Sequence, residues 1–125
     1  MTIALWCVFV AGILPYVATV IAKSGRSGFD NRDPRGWLAR QEGFRKRANA
    51  AQLNSFEAFP FFAAAVIIAH LLNGPQGLVD VLALVFIAAR VLHLAFFLAN
   101  YATLRSLAWF VGLGVVVSIF LVGAT

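Results

Sequence analysis

Residues 45–62, RKRANAAQLNSFEAFPFF, pass from a basic cluster through polar side chains into a continuous apolar segment. Among the polar side chains are Asn54 and Glu57, and Glu57 stands where the apolar segment begins. A carboxylate at the start of a membrane-spanning helix is unfavourable unless it is paired. Arg90 lies inside another apolar segment, and we expect Glu57 and Arg90 to be the only opposite charges at membrane depth. The sequence therefore predicts an ion pair between Glu57 and Arg90.

The composition is that of an integral membrane protein. Of the 125 residues, 62% are hydrophobic and 12% are charged, whereas soluble domains have about 25% charged residues. This length allows a single domain over residues 1–125. The single cysteine, Cys7, excludes an internal disulfide. The net charge of +5 comes from residues that flank apolar segments, which indicates membrane topology and no nucleic-acid partner.

Four apolar segments are long enough to cross a lipid bilayer, and they cover approximately residues 3–22, 56–72, 78–99 and 107–122. About twenty helical residues span a hydrocarbon core of roughly 30 Å. The first segment is too long for a signal-peptide core and no Lys or Arg precedes it, so we expect a membrane span there. Small residues in the fourth segment are expected to let helix backbones approach closely: Gly112, Gly114 and Ser118. The prediction is an all-α four-helix membrane bundle.

The polar connection over residues 23–54 is strongly basic. Eight of the ten Lys and Arg residues lie in it: Lys23, Arg26, Arg32, Arg35, Arg40, Arg45, Lys46 and Arg47. The positive-inside rule predicts a cytoplasmic connection, with both termini outside. From Trp37 onward the pattern predicts a helix that continues into the second span. We interpret the basic residues 45–47 as a contact with lipid headgroups.

Helical spacing gathers polar residues on two facing surfaces. Asn54 and Glu57 share one face of the second span. One face of the third span carries four residues at spacings of three, four and four: Arg90, His93, Phe97 and Tyr101. Together the two faces predict a cleft for a small anionic, peptide-like ligand.

Each of these residues also has a simpler interpretation. The Glu57–Arg90 pair could only fix helix register, and His93 could be a hydrogen-bonded packing residue. Tyr101, like Trp6 and Trp109, fits an aromatic belt at the membrane surface, and His70 also fits an interfacial position. Arg105 fits either a topology signal or an active-site role. The sequence has no spacing typical of a metal site, a phosphate-binding loop or a Ser–His–Asp triad, so none of these is expected.

These elements together resemble the MAPEG family, the membrane-associated proteins in eicosanoid and glutathione metabolism, and especially its small bacterial members. The matching residues are Asp30-Asn31, Pro34-Arg35, Arg47-Ala48, Gln52, Asn54, Glu57, Pro60, Arg90-Val91-Leu92-His93 and Leu104-Arg105-Ser106. The resemblance implies one MAPEG-like domain in a bacterial inner membrane and a homotrimer. It also implies that glutathione is bound as a co-substrate between subunits, near the cytoplasmic side.

The resemblance implies roles for individual residues. An Arg near the start of the fourth helix stabilises the glutathione thiolate in relatives, and Arg105 occupies the matching region. The residues matched to glutathione binding are Arg47, Gln52, Asn54, Glu57, Arg90, His93 and Tyr101. The leading hypothesis is a membrane glutathione transferase or peroxidase-like protein that conjugates or reduces small lipophilic electrophiles. A nearby guanidinium favours the thiolate, which is the reactive nucleophile.

Two alternatives come from other functional classes. The first is a non-catalytic membrane subunit or scaffold with the MAPEG fold, because Ala50 and Phe97 stand where glutathione-binding members have an Arg and often a Tyr. The second is a proton-coupled transporter that uses Glu57. It is disfavoured because a nearby Arg90 would keep Glu57 ionised and prevent proton cycling.

Overall fold

The computed structural model describes residues 1–25 and 28–125. It contains five helices: α1 (Ile3–Ala22), α2 (Pro34–Ala39), α3 (Phe44–Leu71), α4 (Gln76–Leu98) and α5 (Ala102–Ala124). There are no strands in the described ranges. Four of the helices, α1, α3, α4 and α5, are long and apolar enough to cross a membrane. The predicted all-α four-helix architecture is confirmed.

The four long helices form one bundle with a narrow core. Helix α1 packs along α3 and α4, α5 packs along the same two helices, and α3 contacts α4 across the middle. In the core, the Phe62 ring stacks on Phe86 with the centroids 3.9 Å apart. The buried positions of α1 recur every three or four residues, and the side chains there are small: Ala4, Cys7, Ala11, Pro15, Ala18 and Ala22. Small side chains let α1 lie close to its neighbours, as membrane helices require.

Helix α3 begins at Phe44, so the predicted start at Trp37 is wrong. Gly43 has a φ of +64°, which glycine adopts readily and which interrupts the helix. The residues before it form the separate helix α2, and Asp33 caps that helix by accepting from the Gly36 amide at 3.2 Å. With 28 residues, α3 is about 42 Å long and exceeds a hydrocarbon core of roughly 30 Å. The helix does continue from the basic connection into the second span, but only from Phe44.

Helix α2 lies across one end of the bundle, which we call the basic end because residues 23–43 connect there. Its Trp37 and Leu38 are buried together with Ala22 and Ala48. Ala22 is the last residue of α1, so α2 is fixed at the level where the first span ends. The opposite end, around residues 72–75, is called the turn end.

At the turn end, α3 and α5 approach closely at Gly123. A Cβ at Gly123 would lie 2.9 Å from the Ala69 Cβ, closer than real Cβ contacts. Of the three small residues predicted to allow such an approach, Gly112 is buried. Gly114 has open space around it, and Ser118 donates to the Gly114 carbonyl of its own helix at 2.8 Å. The tightest approach is therefore at a glycine that sequence analysis did not single out.

Asp80 joins the first turns of α1 and α4 at the turn end. Its Oδ1 accepts from the Ala4 amide at 2.8 Å and from the Gln76 side chain at 2.6 Å. The Thr2 hydroxyl accepts from the Leu5 amide at 3.1 Å. The first amides of a helix have no acceptor within the helix. In α1, the amides of Ala4 and Leu5 thus find side-chain acceptors. Asp80 is a further charged residue of α4 and lies near its start, and the expectation that Glu57 and Arg90 are the only opposite charges at membrane depth stays a prediction.

Candidate functional site

Arg90 is buried between α3 and α4, with 4% of its surface exposed. Its Nη2 donates to Asn54 Oδ1 at 2.7 Å and to Ser55 Oγ at 3.4 Å. No carboxylate of the described residues lies within the ion-pair distance of 4.0 Å from Arg90. The predicted Glu57–Arg90 ion pair is therefore wrong. The Arg90 guanidinium donates to Asn54 instead, and Glu57 is exposed on the bundle surface.

Glu57 and Arg90 nevertheless line the same cavity, which has a volume of about 170 Å³ and is called the Arg90 cavity. Asn54 is its third polar lining residue. The remaining lining residues are apolar: Ala58, Phe61, Phe86, Trp109, Gly112, Leu113 and Val116. The cavity therefore offers an amide, a carboxylate and a guanidinium on a largely apolar wall between α3, α4 and α5.

A second cavity of about 400 Å³, the Arg105 cavity, adjoins the first. Its lining residues are Asn54, His93, Phe97, Arg105, Ser106, Trp109 and Phe110. Asn54 and Trp109 line both cavities. The guanidinium groups of Arg90 and Arg105 thus open into neighbouring spaces.

Phe97 organises the Arg105 cavity. The Arg105 guanidinium lies over the Phe97 ring at 4.4 Å from its centroid, a contact that contributes about 0.5–2 kcal/mol. His93 meets the same ring edge to face, with the ring centroids 5.5 Å apart. His93 is 2% exposed, and its Nδ1 finds no hydrogen-bond partner among the described residues. A cation and an unsatisfied imidazole nitrogen therefore flank one aromatic ring.

Arg47, Gln52 and Tyr101 line neither cavity. Arg47 Nε donates to the Leu98 carbonyl at 3.2 Å and closes the end of α4. The Oε1 of Gln52 is buried and has no hydrogen-bond partner in the described ranges. The predicted extension of the Arg90 face to Tyr101 is wrong, because α4 ends at Leu98 and Tyr101 is 59% exposed.

Three residues that contact Arg90 or line the cavities were not predicted to belong to the site. Ser55 receives a hydrogen bond from Arg90, and Ser106 lines the Arg105 cavity. Trp109, expected in an aromatic belt, lies between the two cavities. Its spacing of four residues from Arg105 was the available signal, because residues four apart share a helix face.

The family model of the MAPEG family matches residues 3–125. The chain belongs to the MAPEG family. The resemblance found in the sequence is thereby confirmed, and this MAPEG protein is an integral membrane protein of the glutathione-transferase and eicosanoid-related kind. None of the curated proteins matches the chain.

The two cavities give this MAPEG protein a defined chemical capacity. Arg90 and Arg105 can attract an anionic ligand, and guanidinium groups hold carboxylates with charge-assisted hydrogen bonds. The apolar wall of the Arg90 cavity can accept hydrocarbon. No group of three or more His, Cys, Asp or Glu side chains in the described ranges is arranged to hold a metal ion. The roles of the individual site residues stay predictions.

Proposed function

We propose that this protein is a membrane-bound glutathione transferase, or a peroxidase-like relative, that acts on lipophilic electrophiles. The observation that carries the proposal is the pair of adjoining cavities, each with one arginine and with Asn54 and Trp109 shared between them. An anionic peptide and an apolar electrophile need this combination of charge and hydrocarbon surface. The proposed assembly is a homotrimer.

In the proposed complex, glutathione occupies the two cavities. Arg90 and Asn54 hold the carboxylate and amide groups of the peptide, and His93 supplies an imidazole whose Nδ1 has no other partner in the described ranges. Glu57 lines the Arg90 cavity and accepts from the ammonium group of the ligand. Arg47, Gln52 and Tyr101 line neither cavity, and the proposal gives them contacts with glutathione only across the interface with a neighbouring protomer.

Arg105 is the proposed catalytic residue. Its guanidinium, supported by the Phe97 ring at 4.4 Å, stabilises the thiolate after the thiol proton has left for solvent. The thiolate then attacks the electrophile, so that a bond to sulfur forms while the bond to the leaving group breaks. The aromatic wall of the Arg105 cavity, formed by Phe97, Trp109 and Phe110, holds the hydrocarbon part of that substrate next to the sulfur.

Calorimetric titration and turnover measurements test this proposal. The wild-type protein in lipid should bind glutathione at millimolar or lower concentration, and Arg105→Ala should lower kcat about a hundredfold with little change in affinity. Arg40→Ala is the control, because Arg40 lies outside both cavities and is exposed. Absence of binding, or turnover unchanged in Arg105→Ala, would contradict the proposal.

The second candidate is a non-catalytic subunit or scaffold with the same fold. It is favoured by one observation: the wall of the Arg105 cavity at position 97 is a phenylalanine ring without a hydroxyl group. Stable co-purification with another membrane protein, together with no heat of glutathione binding, would support this candidate.

A further inference from the structure

The net charge of the chain is confined to residues 23–54, which include the connection between α1 and α3 and the first turns of α3. Residues 23–54 contain eight Lys or Arg residues against Asp30, Asp33 and Glu42, which leaves +5, the net charge of the whole chain. The other four charged residues cancel one another: Glu57, Asp80, Arg90 and Arg105. The positive charge of the sequence is therefore concentrated in this one segment, which runs from the end of α1 into the first turns of α3.

Within this connection, two residues of the most obvious basic cluster are turned into the protein. Arg45 Nη2 donates to the Ser24 carbonyl at 2.8 Å, and Arg47 Nε donates to the Leu98 carbonyl at 3.2 Å. The first hydrogen bond holds the chain just after α1, and the second holds the last residue of α4. These two guanidinium groups are therefore less available to lipid than the interpretation of residues 45–47 as a headgroup contact assumed.

Arg32 and Arg35, in contrast, are exposed. The aspartates beside them are engaged by backbone amides: Asp30 accepts from the Arg32 amide at 2.9 Å, and Asp33 accepts from the Gly36 amide at 3.2 Å. Within the described ranges, no carboxylate lies within 4.0 Å of either guanidinium. Both side chains therefore carry exposed charge that no carboxylate of the described residues neutralises.

The position of α2 brings these charges to the level of the lipid headgroups. Trp37 and Leu38 hold α2 against Ala22, where the first span of about 30 Å ends. Guanidinium groups bind phosphate through paired hydrogen bonds, and each cation near an anionic membrane surface adds to the attraction. We propose that Arg32 and Arg35 form a binding site for the headgroups of anionic phospholipids.

Native mass spectrometry of the full-length protein in detergent tests this site. The probes are phosphatidylglycerol and phosphatidylcholine with the same acyl chains. Wild type should prefer phosphatidylglycerol. Arg32→Gln and Arg35→Gln should each weaken that preference about fivefold, and the double variant about twenty-five-fold. Lys46→Gln is the matched control: it also removes one exposed charge, but Lys46 already pairs with Glu42 at 3.7 Å, and its effect should stay below about twofold.

Two further arms complete the experiment. The first is the double variant Arg32→Lys with Arg35→Lys, which keeps both charges and should retain most of the preference for phosphatidylglycerol. The second is excess inorganic phosphate, which should compete only weakly with phosphatidylglycerol. Equal affinity for the two lipids in wild type, or an equal loss in Lys46→Gln and the single arginine variants, would overturn the proposal. Complete displacement of the lipid by inorganic phosphate would also overturn it, because the site would then be one for free anions. Should the double variant not fold, the single variants decide the comparison.

Discussion

At the scale of single residues, Arg90 is buried in a membrane helix with neutral acceptors in place of a counter-ion. A guanidinium has five N–H donors, and Arg90 uses one nitrogen for Asn54 at 2.7 Å and for Ser55 at 3.4 Å. Neutral acceptors leave the positive charge uncompensated. Because Arg90 also lines a cavity, that charge remains available to an anionic ligand.

Asn54→Ala should destabilise the protein because it removes the shortest hydrogen bond of Arg90. We expect a loss of about 1.5–3 kcal/mol, typical of a hydrogen bond to a charged group, and a lower Tm in detergent without ligand. Asn49→Ala is the control on the same helix, since Asn49 has no side-chain hydrogen bond in the described ranges. Equal Tm values for the two variants would show that the Asn54 contact does not stabilise the fold.

Sequence reasoning could predict which residues gather around Arg90 but not which one touches it. Counting helical residues from the turn end places Glu57 and Arg90 near one layer, helical spacing places Asn54 on the Glu57 face, and all three line one cavity. The choice between an amide and a carboxylate partner depends on helix rotation and on side-chain rotamers. Both depend on how the four long helices pack together, which the sequence does not reveal.

At the scale of helices, the ends were harder to predict than the apolar spans. The α1 limits follow from hydropathy alone, because a charge-free run is bounded by polar residues on both sides. The end of α4 depends on one local conformation: Asn100 has a φ of +64°, which Asn tolerates better than most residues. The three- and four-residue spacing of Arg90, His93 and Phe97, which continues to Tyr101 in the sequence, concealed this break.

Helix packing at the turn end predicts a sharp difference between two glycines of α5. Gly123→Ala should lower stability by about 1–3 kcal/mol, because the added methyl group would lie 2.9 Å from the Ala69 Cβ and force α3 and α5 apart. Gly114→Ala meets no atom within 4 Å and should be neutral or slightly stabilising, since Ala favours helix. Thermal unfolding of both variants measures the difference, and equal losses would contradict the assignment of close packing to Gly123.

At the scale of the whole molecule, the bundle exposes large apolar side chains along each of its spans, for example Phe9, Phe61, Leu84 and Phe110. Lipid or neighbouring protomers must cover them. Hydropathy made this four-helix architecture predictable, because only helices with internally satisfied backbones or closed barrels cross a bilayer. The arrangement of protomers depends on surface details that hydropathy does not encode.

The proposed homotrimer predicts a definite mass. Native mass spectrometry of the protein released from detergent should give three times the protomer mass of 13.5 kDa. Glutathione bound between protomers should raise the temperature at which the trimer dissociates, because a ligand that binds only the assembled state stabilises it by mass action. A monomeric mass at all protein concentrations would contradict the homotrimer.

The contact between Asp80 and the start of α1 has a consequence for biosynthesis. The Ala4 amide finds its acceptor 76 residues later in the chain, on a helix that the ribosome completes only after two earlier spans have been made. This hydrogen bond at the start of α1 can therefore form only after the third span has been synthesised.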